Sequence, residues 1–357
     1  MTGIRGIAAV WVMMLHAQIR AVSVFDMPIL DRIKFLGSGW RGVDLFFMLS
    51  GFILMYAHGR EFQHIRKGSL IRFARLRFTR VYPVNAVVAL LIGIVVLAQP
   101  GFVAWAQATH NPGDYTPVAF FQTMFLANRW FLPGDGDWNG PVWSLSLEVL
   151  GYMAFPFLAF CALRVKARWK FIGVSFLLLV GSDVILRATH NPQWTIRQFA
   201  IVRMIACFVT GIAIFRLWTL SAETSKRWAG WIAAISAAGI LIMGSLNVAG
   251  IAINFFFATL LYGLAFQHGI VNAVLASRVA VFFGEISFPL YLTHVVPLLW
   301  LWYYIPLHAT EFTHLQKALF MVCWIVGCIV VATLLHYFVE KPFHAMGRRW
   351  AGERVVQ

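Results

Sequence analysis

Apolar runs close to the length needed to cross a bilayer recur along the whole chain, at about 4–20, 42–57, 81–98, 142–163, 171–187, 198–215, 228–246, 249–267, 279–303 and 318–339. A hydrocarbon core offers no water to a backbone N–H or C=O. A segment that crosses it must therefore be a helix or part of a closed barrel. Runs of this length, without alternation, suit helices of about 20 residues. The fold expected is all-α: one polytopic domain over residues 1–357 with about ten transmembrane helices. The shorter runs rely on tilt or on flanking residues. The first run has one arginine before it and no clear small-residue cleavage site after it, so it is expected to stay as a span rather than leave as a signal peptide. No soluble appendage, low-complexity linker or repeat of 20–50 residues is visible.

The formal charge is +15, which in a soluble chain would suggest nucleic acid. With 60% hydrophobic and 12% charged residues, the partner expected here is the lipid bilayer, and no nucleic acid. With the N-terminus in the cytoplasm, twenty of the 29 Lys and Arg fall on inside segments and eight on outside segments. That bias predicts an N-in, C-in topology. The outside segment 99–141 is the longest, with "NPGDYTP" and "FLPGDGDWNGP" as turns. The four cysteines sit in apolar stretches without a CxxC or Cys/His cluster, so neither a disulfide framework nor a metal site is expected.

Ionisable groups inside a membrane are costly, and each is a candidate for function. "GIRGIAAVWVMMLHA" carries Arg5 and His16 eleven residues apart. At about 100° per residue the two share one helix face, about 16 Å apart along the axis. Asp44 opens the second run, Glu148 lies in "VWSLSLEVLGY", Arg203 enters the sixth run and His294 ends "GEISFPLYLTH". His16, Asp44, Glu148, Arg203 and His294 all fall in the outer half at comparable depth. They are expected to line one water-filled site, or else to form interhelical pairs such as Glu148 with Arg203. Asp183 and Glu285 lie nearer run ends and read as interface or packing residues. The inner segment "RKGSLIRFARLRFTRVYP" carries Arg66, Lys67, Arg72, Arg75, Arg77 and Arg80. Inside-positive topology accounts for much of this cluster. The i,i+3 pairs Arg72/Arg75 and Arg77/Arg80 could also each present one face to a phosphate.

Together these segments resemble the acyltransferase-3 family of bacterial membrane O-acyltransferases. The resemblance rests on "GIRGIAAVWVMMLHA", "GVDLFFMLSGF", "RFTRVYP", "WSLSLEVLGYMAFP", "ISFPLYLTH" and "VEKPF", in family order over nearly the whole chain. It implies transfer of an acyl group, expected to be acetyl, from cytoplasmic acyl-CoA to a carbohydrate hydroxyl across the bacterial inner membrane. It implies that His16 is the key catalytic residue, with supporting roles for Arg5, Asp44, Arg77, Arg80, Glu148, Ser287, Tyr291 and His294. The family's Ser-Tyr pair in the ninth span is Ser287-Phe288 here.

Such a transfer needs a base for the hydroxyl, a stabilised thioester oxygen and a held donor. Histidine suits the base. Glu148, or else Asp44, is expected to orient the imidazole of His16. Arg203 is expected to stabilise the oxyanion or to pair with Glu148. Arg5, Arg75, Arg77 and Arg80 are expected to hold the phosphates of acetyl-CoA. The acceptor is expected to be a lipid-linked saccharide of an exopolysaccharide or O-antigen (lipopolysaccharide), with polysaccharide assembly machinery as a candidate partner. The rival reading is a proton-coupled transporter of an anion or lipid-linked sugar, using His16, Glu148 and His294 as a relay. Transporters of that kind often carry internal repeats, and none is visible.

Overall fold

The computed structural model describes residues 1–23, 25–109, 111–130, 136–189, 197–221, 225–246, 252–304 and 312–352. The principal helices are α1 (Thr2–Ser23), α2 (Gly42–His58), α3 (Lys67–Ala98), α4 (Val142–Arg164), α5 (Arg168–Ala188), α6 (Arg197–Thr219) and α7 (Lys226–Ser245). They continue as α8 (Ala252–Ala265), α9 (Arg278–Glu285), α10 (Ser287–Thr293), α11 (Val295–Tyr304), α12 (His314–Leu335) and α13 (Lys341–Trp350). No strand occurs among the described residues. Among the described residues, eight helical stretches are long and apolar enough to cross a membrane, and a broken one formed by α9 with its successor makes nine. α8 is apolar but has only 14 residues. The fold is all-α and polytopic. All ten expected apolar runs coincide with helices, although 249–251 lie outside the described residues.

Three boundaries differ from the sequence expectation. α3 begins at Lys67, not at 81, so the arginine-rich segment is helical and continuous with the span. The run 279–303 is not one helix but three short ones. Two prolines explain the breaks. Pro289 is the third residue of α10, and four residues before it stands Glu285, the last residue of α9. Pro297 is the third residue of α11, and four residues before it stands Thr293, the last residue of α10. A proline offers no N–H to the carbonyl four residues back, and its ring crowds that carbonyl. Proline alone does not decide the outcome, since Pro83 and Pro156 are carried inside α3 and α4. In α9–α11 two of them act on one short stretch. The third difference is at the last run, where α12 ends at Leu335 and a π-turn, His336–Glu340, leads into α13. There the Lys341 N–H reaches the His336 carbonyl, and Pro342 has no N–H to continue the ordinary ladder.

The chain divides into two compact units. Unit 1 comprises Met1–Val12, Ile33–Ile71 and Leu147–Glu285. Its core is the pairing of α2 with α6. A Cβ on Gly51 would collide with the Phe208 carbonyl, and one on Gly211 with the Met48 carbonyl. Two glycines thus let two backbones touch, as small residues do where lipid gives no hydrophobic drive between helices. Contacts advance together along both helices, so the pair is parallel. Near the middle of α1, Trp11 donates its Nε1–H to the Phe35 carbonyl at 2.8 Å and stacks on the Phe35 ring.

Unit 2 comprises Met13–Arg32, Arg72–Ser146 and Ile286–Gln357. Its 100–146 segment is tied by polar contacts. Arg129 forks onto Asp137 at 2.7 and 3.1 Å, and Asn128 donates to the same carboxylate at 2.7 Å. The Asp137 N–H donates to the Asp114 carboxylate at 2.8 Å. The Trp130 indole donates to the Ser146 carbonyl at 3.0 Å, which fixes this segment to the start of α4.

Candidate functional site

α1 runs unbroken from Thr2 to Ser23, so Arg5 and His16 lie on one continuous helix, as their spacing predicts. Arg5 belongs to unit 1 and is half-buried; His16 belongs to unit 2 and is also half-buried.

In unit 2 the break between α10 and α11 leaves His294 between two helix ends, fully buried. Its Nδ1 lies 2.9 Å from the Tyr291 carbonyl and 3.2 Å from that of Leu290. Carbonyls only accept, so Nδ1 carries the hydrogen. The neutral ring then has a lone pair on Nε2. That Nε2 lies 3.2 Å from Nδ1 of His16, so His16 donates from Nδ1. The network therefore assigns the lone pair of His16 to its Nε2. Two backbone carbonyls choose the tautomer of a second histidine 278 residues away in sequence.

The surroundings hold this pair in place. Tyr291 Oη and Ser144 Oγ share a buried hydrogen bond of 2.7 Å. Asn139 donates to the Leu292 carbonyl at 2.8 Å, tying the segment before α4 to α10. Ser287 is buried at the start of α10. Sequence reasoning missed Ser144 and Asn139, because each acts on a residue about 150 positions away.

In unit 1 Asp44 and Arg203 meet between α2 and α6, both almost wholly buried, in a short contact between Arg203 Nε and Asp44 Oδ1. The guanidinium also donates to the Trp40 carbonyl at 3.2 Å and lies over the Trp40 ring at 5.1 Å. Arg41 stands 3.6 Å from Asp44 Oδ2 and 3.7 Å from the Trp40 centroid, and Cys207 also faces the carboxylate. Arg203 therefore pairs with Asp44, not with Glu148 as the sequence allowed. The hydrophobic run hid Arg41, which precedes it. Glu148 accepts from Ser50 at 2.6 Å and from Tyr152 at 2.7 Å through Oε1. Within unit 2 the group facing the His16 imidazole is that of His294. Tyr152 could have been found, since it follows Glu148 by four residues on one helix.

At the other end of unit 2, α3 carries Arg72, Arg75, Arg77 and Arg80. Arg75 is exposed, and the other three are half-buried. Arg75 donates to the Trp350 carbonyl at 3.2 Å, at the C-terminus of α13.

The acyltransferase domain family designated Acyl_transf_3 matches residues 1–337. The chain belongs to the acyltransferase-3 family. Acyltransferase MdmB of Streptomyces mycarofaciens is 26% identical over 98% of this chain and 92% of its own length. Nodulation protein 10 of Rhizobium leguminosarum bv. viciae is 25% identical over 71% of both chains. A Staphylococcus aureus protein provisionally named an O-acetyltransferase is 22% identical over 92% of this chain and 57% of its own. No solved structure matches. Family and fold together make this a multi-pass membrane O-acyltransferase.

Proposed function

We propose that this acyltransferase moves an acyl group, acetyl first among the candidates, from acyl-CoA to a hydroxyl of a carbohydrate. The acceptor is a lipid-linked unit of an exopolysaccharide or O-antigen, reached across the bacterial inner membrane with both chain termini in the cytoplasm. The observation that carries this reading is the hydrogen-bond chain from the Leu290 and Tyr291 carbonyls through His294 to His16, which leaves a defined lone pair on His16 Nε2.

A hydroxyl placed at that nitrogen gives up its proton as its oxygen attacks the thioester carbonyl. The C–O bond forms, the tetrahedral intermediate collapses, and the C–S bond breaks. The departing thiolate takes the proton back from Nε2, so His16 ends as it began. His294 accepts from His16 Nδ1 throughout and keeps the ring oriented, a positioning role like that of the third member of a catalytic triad. A covalent acyl-His16 would divide the same transfer into two steps. Arg75, Arg77 and Arg80 supply positive charge for the donor's phosphates, with Arg5 as a further candidate. For Asp44 and Arg203 the buried ion pair supports a structural role in unit 1 beside any role toward substrate.

The test is turnover of labelled acetyl-CoA by the purified chain in liposomes with an extracted lipid-linked acceptor. The wild type is expected to release CoA and label the acceptor, and His16→Ala to do neither. Label retained on the wild-type protein would select the acyl-histidine route. Consumption of acetyl-CoA at equal rates by both proteins would sink the assignment of His16.

A further inference from the structure

α13 lies across α3 within unit 2. A Cβ on Gly347 would overlap the Thr79 side chain, so the two helices touch at these residues. The Arg75 bond to the Trp350 carbonyl closes the crossing at its end. Arg80 follows Thr79 and Arg77 lies two residues before it, while Arg348 follows Gly347, with His344 one turn earlier on the same helix. The charges of Arg80, Arg348 and Arg77 all act on His344, with Glu340 opposing. Glu340 is itself engaged by His336 at 2.7 Å. The Nε of Arg348 is shielded from solvent and has no hydrogen-bond partner among the described residues. Like charges brought this close cost free energy unless an anion joins them.

We propose that α13 supplies half of a phosphate-binding site, in which Arg348 and His344 close over a phosphate group held from the other side by Arg77 and Arg80. Two planar guanidiniums on different helices can each fork onto phosphate oxygens, while the imidazole donates a further hydrogen bond. The inference rests on the acyl-CoA reading for the identity of its ligand, the phosphates of the nucleotide end. The same chemistry would be met by the headgroup of an anionic lipid.

The test uses the full chain in lipid nanodiscs with adenosine 3′,5′-bisphosphate as the probe. In phosphatidylcholine discs the wild type is expected to bind it, Arg348→Ala to weaken binding by about tenfold or more, and Arg348→Lys to recover part of the loss. Arg349→Ala removes the same charge from an exposed neighbour and is expected to have little effect. Gly347→Ala keeps every charge but adds a methyl group at the helix crossing, and is expected to weaken binding as well. In discs containing phosphatidylglycerol, retained lipid is counted by native mass spectrometry. Arg348-dependent lipid retention without bisphosphate binding would make the ligand a headgroup. Equal losses for Arg348→Ala and Arg349→Ala, or no Arg348 dependence for either ligand, would overturn the site. Arg348-dependent bisphosphate binding in a protein that turns over no acyl-CoA would leave the site standing and remove the acyl-CoA reading.

Discussion

His294 Nε2 accepts a hydrogen bond from His16 Nδ1 at 3.2 Å, and the acceptor has no choice in the matter because its other nitrogen is committed to backbone carbonyls. Replacing His294 by Ala removes the acceptor and frees the His16 tautomer. Gln can place its Oε1 near the lost Nε2 and still accept. We expect His294→Ala to lower kcat by about 10²-fold or more with little change in KM for acyl-CoA, and His294→Gln to restore a substantial part. Equal activity for the two variants would show that hydrogen-bond acceptance at this point is irrelevant.

The Asp44–Arg203 pair is buried at both partners. Removing one partner strands a charge, which costs about 3–5 kcal/mol in a protein interior. Asp44→Leu and Arg203→Leu are each expected to lower the thermal midpoint sharply in detergent. The double Leu variant is expected to regain part of the loss, because the Arg203 charge goes together with the carboxylate it faces, while Arg41 still loses its contact with Asp44. An additive double variant would mean the two side chains are not coupled.

The 100–146 segment has its own pH response. Burial raises the pKa of Asp114 above 3.8, the nearby Asp137 charge adds to the rise, and the Asp137 N–H bond and Arg129 oppose it. A carboxyl whose folded pKa is raised favours the fold while protonated. That contribution is present below the ordinary aspartate value and is lost as pH climbs through the raised one. Protection factors over 111–130 and 136–146, which are corrected for the intrinsic slowing of exchange in acid, should therefore rise on mild acidification. Asp114→Asn keeps an oxygen for the Asp137 N–H and removes the charge, so it should flatten this pH dependence and protect the segment at neutral pH.

Pro289→Ala gives back an N–H to the Glu285 carbonyl and removes the ring that crowds it. The variant is expected to be as stable as wild type or more so, yet to lose about tenfold or more in turnover as the helix end that presents His294 shifts. Unchanged activity would show that the break is incidental to the histidine pair.

Much of this was readable beforehand, for a physical reason. A bilayer admits few backbone solutions, so apolar runs announce helices, and helical periodicity places Arg5 and His16 on one face without any tertiary information. The arginine-rich start of α3 lies outside the apolar run that marks the span, because hydropathy reports burial in lipid and says nothing of where a helix begins. The breaks around His294 had a visible signal in Pro289 and Pro297, but the apolar composition of 279–303 outweighed it. Partners such as Ser50 for Glu148 or Ser144 for Tyr291 carry no local signal at all. Their meeting depends on packing, which no spacing rule reports.

The 278 residues between His16 and His294 also separate them in time. A ribosome adding about 5–20 residues per second finishes His294 some 14 to 56 seconds after His16. Throughout that interval the first helix exists without the acceptor that His294 later offers to its imidazole. A nascent chain that stops anywhere in that interval therefore carries His16 without the buried acceptor at its Nδ1.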